Sequence, residues 1–286
     1  MATTKQTITR LTRILPTPVY LKLRYAGLSV LDVIDSARGL REPMIPPRRL
    51  MLDGPPSVEL FRKSGQVFLG YYKELCGLRP DSSILDVGSG MGRKTVALTD
   101  YLNSKGSYQG LDIYKPGIDW CQSKITPRFP NFQFQKLDVY NKYYNPDGRF
   151  QASEYVFPFP DNTFDFVVLT SVFTHMVPPD VDHYLAEISR TMKPGASCLI
   201  SYFLLNEGSK RRLHEGKTTV VFPHAYGEHL VEKLETPEDA ICFSESWLRG
   251  RYTQHGLAID EPVKFGSWSG VETPLDYQDL VIAKKA

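Results

Sequence analysis

The stretch Ile84-Leu85-Asp86-Val87-Gly88-Ser89-Gly90-Met91-Gly92-Arg93 decides the fold of this 286-residue chain. An apolar run carrying an acid enters a turn of alternating glycines that opens a helix, as where a buried strand hands over to a helix in a nucleotide-binding fold. Glycine lacks a Cβ, reaches positive φ at little cost and lets a ligand lie against the backbone. The spacing is G-x-G-x-G, with Arg93 where the third glycine of the dinucleotide fingerprint G-x-G-x-x-G belongs, which disfavours NAD and FAD. The phosphate-loop pattern G-x-x-x-x-G-K-[ST] fails too, because Lys94-Thr95 has no glycine directly before it.

Outward from this turn, strand and helix patterns alternate, pointing to a mostly parallel sheet covered on both faces. Strands are predicted near 83–87, 107–112, 131–136, 164–170 and 196–203, and helices near 92–104, 117–126 and 179–192. Residues 206–240 interrupt the alternation with charge, three histidines and mixed patterning, as a lid or substrate-covering insertion does. A helix over 244–255, closed by Gly256, precedes two β-rich runs at 257–267 and 277–284. The second strand ends at Leu111-Asp112-Ile113, about twenty residues past the glycines, where nucleotide folds place an acid for ribose hydroxyls. Asp112 is the candidate ribose ligand, with Ile113 offering an apolar surface to a base.

This order of landmarks resembles the class I S-adenosylmethionine-dependent methyltransferases. Asp86, Gly88, Gly90 and Gly92 match the family's first motif, with Ser89 inside the turn. Lys136-Leu137-Asp138-Val139 resembles the segment that meets adenine, which implies that Asp138 accepts from the exocyclic amine while the Val139 amide meets the ring. Asp161-Asn162-Thr163-Phe164-Asp165-Phe166-Val167-Val168-Leu169 resembles the D-x-x-F-D-h-h-h segment, and Met192-Lys193-Pro194-Gly195 the L-K-P-G turn, with methionine for leucine. Asp165, at the strand start, reads as structural, whereas Thr170 and Ser171 lie nearer the crevice at the strand ends. The resemblance implies an α/β, Rossmann-like, seven-stranded mostly parallel sheet with an antiparallel last strand. It covers about 81–205 closely and 241–286 loosely. Residues 1–57 then form an N-terminal helical extension and Pro-rich linker, and 58–286 the methyltransferase domain with insertion 206–240.

Methyl transfer needs two reactants oriented and desolvated, so few catalytic groups are obligatory. His175 is the candidate base, with a purely structural histidine as the alternative. His214, His224 and His229, with Glu215 and Glu228, match no specific metal-ligand spacing, and no metal is expected. Tyr143, Tyr144, Tyr155, Phe157 and Phe159 crowd the loop before the fourth strand, where they either line an acceptor pocket or pack. No N-P-P-[YFW] sequence and no Pro-Cys pair supports base methylation of DNA. Ser171 to Met176 and Tyr277-Gln278-Asp279-Leu280 look like bacterial methyltransferases of small molecules or glycans. The expectation is O-methylation of a sugar, glycan or lipid-linked small molecule. Alternatives are N- or C-methylation of a small metabolite, or a non-catalytic scaffold that binds S-adenosylmethionine.

Net charge is +2, which makes no case for nucleic acid as a partner. Residues 1–50 nevertheless hold nine Lys/Arg against three acids, or +6, leaving −4 for the rest. Residues 17–40 carry Leu23, Val30, Ile34 and Ala37 at helical spacing. This stretch reads either as a peripheral contact with anionic lipid or as a segment that packs on the domain or a second copy. The four cysteines form no C-x-x-C pair and fit a reducing compartment. With no continuous signal-peptide core and no long apolar run, the expected location is the cytoplasm, with peripheral membrane contact as the variant.

Overall fold

A computed structural model describes residues 17–51 and 54–286. Its backbone contacts divide the chain into two units, residues up to Ser64 and residues Gly65–Ala286. This division falls inside the helix that runs unbroken from Val58 to Cys76.

In the first unit, helix α1 spans Thr17–Ala37. Asp32 on this helix accepts from the guanidinium groups of Arg41 and Arg48, which folds the proline-rich stretch back along the helix. Helix α2, Val58–Cys76, continues into the second unit.

The second unit is built on the strands β1 (Ser83–Val87), β2 (Ser107–Asp112), β3 (Phe132–Lys136), β4 (Phe164–Leu169) and β5 (Met192–Tyr202). Between them lie the helices α3 (Thr95–Thr99), α4 (Lys115–Lys124) and α5 (Pro178–Thr191). Beyond β5 follow β6 (Leu204–Leu205), α6 (Glu207–His214), β7 (His224–Tyr226), β8 (His229–Val231), β9 (Ile241–Ser244), α7 (Glu245–Gln254), β10 (Leu257–Ile259) and β11 (Asp279–Lys285). The main sheet has seven strands in the order β10-β11-β5-β4-β1-β2-β3. β1 pairs in parallel with both β2 and β4, while β11 runs antiparallel to β5 and to β10. β1 and β4 are almost wholly buried, as strands covered on both faces must be, which explains their unbroken apolar runs. The chain winds one way from β1 to β3 and the other way from β4, so the β1–β4 junction opens a crevice at the strand ends.

Two elements depart from their predicted form. The helix expected near 92–104 is one short turn, because Gly92 sits at φ 81 and Asn103 leaves to donate to the Pro80 carbonyl. The turn expected at Met192-Lys193-Pro194-Gly195 belongs to β5, since Met192 already pairs with Phe164, with a register shift before Phe166.

The insertion folds into a helix and short strands. Asn206 caps α6 with a reciprocal box to Ser209, and a two-residue turn with Gly227 at φ 61 closes the β7–β8 hairpin. β6, β9, β8 and β7 form a second, four-stranded sheet. Phe222 from the insertion packs with Phe203 and Trp268, both buried.

Candidate functional site

The glycine turn forms the floor of the crevice. Gly88, Gly90 and Gly92 lie at φ 91, 57 and 81, where L side chains are strained. Gly88 and Ser89 donate their N–H groups to the Leu111 carbonyl at 2.7 and 3.1 Å, locking the turn to the end of β2. A Cβ on Gly88 would overlap the Val172 side chain, whereas a Cβ on Gly90 would point into space with nothing within 4 Å. Neighbours therefore require a glycine at 88, and backbone conformation requires it at 90, whose open side is the free surface of the cradle. The Ser89 hydroxyl is buried without a hydrogen-bond partner. A buried hydroxyl left unsatisfied marks a place where a bound group can complete it.

The three acids hold three different positions. Asp86 is buried and accepts from the Tyr108 hydroxyl at 2.6 Å, and Tyr108 meets Thr95 at 2.7 Å. Burial pushes its carboxyl up to about 6 against the pull of that bond. Asp112 accepts from the Gly90 N–H at 2.6 Å through one oxygen and from the Tyr114 N–H at 2.7 Å through the other. Burial raises its pKa while these N–H groups lower it. The carboxylate given to the ribose by the sequence thus also holds the glycine turn, and each oxygen keeps one lone pair for a ligand. Ile113 beside it is partly buried against the core. Asp138, half-buried, is bound by Arg149 through both its guanidinium and its backbone N–H, which holds the carboxyl below its usual value. Any contact from Asp138 to an adenine amine shares the carboxylate with Arg149. Val139 turns its side chain into the core, so its backbone is the part left for a base.

Across the β1–β4 junction, Thr170 is buried and Ser171 adopts φ 57, a left-handed conformation rare for a residue with a side chain. Two bonds hold it there: its N–H donates to Ser201 Oγ at 2.8 Å and its hydroxyl to Gln278 Oε1 at 3.1 Å. Ser201 donates to the same Gln278 oxygen at 2.6 Å. The short 3-10 turn Phe173–His175 follows.

Residues 85–200 match a family model described as a methyltransferase domain. Over these residues the chain is similar to that methyltransferase domain. The ubiquinone/menaquinone biosynthesis C-methyltransferase UbiE of Wigglesworthia glossinidia brevipalpis is 31% identical over 124 residues, 43% of this chain and 44% of that protein. The demethylmenaquinone methyltransferase of Lactiplantibacillus plantarum is 31% identical over 119 residues, 42% of this chain and 44% of that one. The chain thus matches these curated relatives over less than half of their length. Among solved structures, the PH0226 protein from Pyrococcus horikoshii OT3 superimposes with a TM-score of 0.54 at 16% identity, covering 80% of this chain and 92% of that one. The putative methyltransferase in complex with the Haloferax volcanii Trm112 methyltransferase activator gives 0.51 at 15%, covering 79% and 92%. At such identities the likeness is one of fold.

The residues of this region fit S-adenosylmethionine on their own geometry. The open flank of Gly90, the unpartnered Ser89 hydroxyl and the Asp112 carboxylate that holds the Gly90 N–H all belong to this one glycine turn.

On the acceptor side of the methyltransferase domain, His175 is exposed and its Nδ1 lies 3.1 Å from the Glu238 carbonyl. A carbonyl only accepts, so Nδ1 carries the proton and Nε2 keeps a lone pair in the neutral ring. Next to Glu238, Asp239 accepts from Tyr143 at 2.9 Å and from Lys233 at 2.8 Å, which holds its carboxyl down at about 2. The insertion, the turn bearing His175 and the loop after β3 therefore meet at residues 238–239. Of the five loop aromatics, Tyr143 and Tyr144 are exposed, whereas Phe157 is buried against Tyr184 and Phe159 packs on Phe164. His229 is buried, accepts from the Ser244 N–H at 3.1 Å and is held low by burial, and His214 and His224 are exposed. Among the described residues no cluster of three His, Cys, Asp or Glu side chains can hold a metal. Nor is any described helix long and apolar enough to cross a membrane. Sequence reasoning missed Tyr108, Arg149, Ser201, Gln278 and Asp239, whose partners lie 11 to 107 residues away with no local signature.

Proposed function

We propose that this chain transfers a methyl group from S-adenosylmethionine to a carbon atom of a small acceptor bearing an ionisable ring hydroxyl. The observation that carries the reading is the contact between the cofactor turn and the acceptor turn. Val172 rests where a Cβ on Gly88 would be, which sets the His175 turn directly beside the glycines. The cofactor supplies an electrophilic methyl on sulfur. The chain's own part is to orient and to manage one proton. The glycine turn, Ser89 and Asp112 hold the donor, with Asp138 and the Val139 backbone toward the adenine. Thr170 and the braced Ser171 line the junction. His175 Nε2 takes the acceptor's hydroxyl proton, which puts electron density on the ring carbon that bonds the methyl as the sulfur–methyl bond breaks and S-adenosylhomocysteine leaves; that carbon then gives up its own hydrogen as the proton returns to the oxygen. Tyr143 and Tyr144 offer ring faces to a flat acceptor.

Carbon replaces the oxygen acceptor expected from the sequence, because the UbiE relative is named a C-methyltransferase. Cofactor carrying a carbon-13 methyl, incubated with the full chain and a panel of reduced benzoquinols and naphthoquinols, tests this by product NMR. A carbon-bound methyl is expected, with His175→Ala slowing turnover at least about 100-fold and leaving cofactor affinity unchanged. A methyl ether, or no product from a chain that binds cofactor, overturns the reading.

A further inference from the structure

Helix α1 is turned inside out relative to an ordinary surface helix. At 3.6 residues per turn, Leu23, Val30, Leu31, Val33 and Ile34 fall within an arc of roughly 160°. All five are exposed, Val33 by 68% and Leu23 and Val30 by 58% each. The opposite arc carries Asp32 and Asp35, half-buried in ion pairs. Arg41 and Arg48 reach Asp32 at 2.6 and 2.7 Å, and Arg48 reaches Asp35 at 2.5 Å. The Arg48 backbone N–H adds a bond to Asp32 at 2.9 Å. The polar face is therefore the one tied to residues 41–48, and the apolar face is left outside. A contiguous apolar patch of this kind is a contact surface.

Charge identifies what it contacts. The acids of residues 1–50 are Asp32, Asp35 and Glu42, and all three are matched, the last by Arg62. By sequence the segment also carries Lys5, Arg10, Arg13, Lys22, Arg24, Arg38 and Arg49, which leave it at a net +6. A second copy joined through the same patch would bring these two cationic sets together. An anionic bilayer instead attracts them while it buries the apolar arc.

We propose that α1 lies in the surface of an anionic lipid bilayer, with Leu23, Val30, Leu31, Val33 and Ile34 at the acyl boundary and the neighbouring cations at the headgroups. This attachment does not rest on the methyl-transfer reading, and its test needs neither cofactor nor acceptor. The full chain is sedimented with vesicles of phosphatidylglycerol and, separately, of phosphatidylcholine. Binding to the first is expected, weakening as salt rises, with little binding to the second. Val30→Asp combined with Val33→Asp lowers affinity by about 100-fold or more, since each lost apolar contact is worth roughly tenfold. Arg38→Ala lowers it about fivefold. Val33→Leu, which adds one methylene, raises it about fourfold. All variants keep the wild-type melting curve, because the altered side chains are exposed. Absence of vesicle binding, equal binding to both lipids, or wild-type binding by the double variant overturns the proposal. So does a dimer that the double variant splits while vesicles stay unbound, an outcome that assigns the arc to a second copy.

Discussion

Replacing Asp112 with asparagine exchanges one carboxylate oxygen for an NH2 group and should disable the glycine turn. In the native protein one carboxylate oxygen takes the Gly90 N–H at 2.6 Å and the other the Tyr114 N–H at 2.7 Å. Asparagine keeps one acceptor oxygen and sets an NH2 against the remaining N–H, donor facing donor. One charge-assisted bond, worth about 1.5–3 kcal/mol, is lost, and a backbone N–H is left unsatisfied. Because the site is half-buried, a net loss of about 2 kcal/mol is expected, or about 30-fold in cofactor affinity where binding requires the formed turn. Asp112→Ala removes both bonds and should fall further. Calorimetric titration with S-adenosylmethionine, alongside urea unfolding of the same samples, gives both quantities. The expected order is wild type, asparagine, alanine in both. An asparagine variant that loses stability yet binds as tightly as wild type would show that the cofactor does not read this turn. One that loses neither would show that the carboxylate holds nothing.

Gly88→Ala should lower the melting temperature by several degrees, from a left-handed backbone worth about 1–3 kcal/mol together with the overlap with Val172. Adding Val172→Ala should restore part of that loss, and strict additivity in the double-mutant cycle would refute the contact. Asp86→Asn keeps an acceptor for Tyr108 and removes a titrating group. Burial raises the folded-state pKa of Asp86 from 3.8 to about 6, so the stability from its protonated form is complete below about pH 4 and is lost as pH rises through 6. Between pH 4 and 7 the variant should therefore gain about 3 kcal/mol on wild type, and a constant difference in unfolding free energy would contradict the assignment.

The central sheet was legible because its signals are local. An apolar run such as Phe164–Leu169 declares a doubly buried strand within six residues, and glycines at alternate positions declare their turn. What stayed hidden depends on partners far along the chain. Nothing near Asp138 announces Arg149, and nothing near Ser171 announces that Ser201 and Gln278 hold it at positive φ. The mixed pattern of 206–240 concealed short strands, because three-residue strands such as His224–Tyr226 are too brief to show a period. The apolar spacing of α1 was visible, but the pairing of Asp32 with Arg41 and Arg48, which decides which face turns outward, was not.

Where the chain leaves the main sheet for the insertion, it lies beside the point where it returns. Leu204–Leu205 pairs in parallel with Phe243–Ser244, and the Phe243 N–H donates to the Phe203 carbonyl at 2.8 Å. The span between is thus a cassette with abutting ends, which can be shortened, lengthened or transplanted between scaffolds while the β-sheet beneath keeps its register. Phe222 against Trp268 and Val231 in the main core anchor it, so a graft that keeps an aromatic and an aliphatic side chain at those places seats on an unchanged sheet.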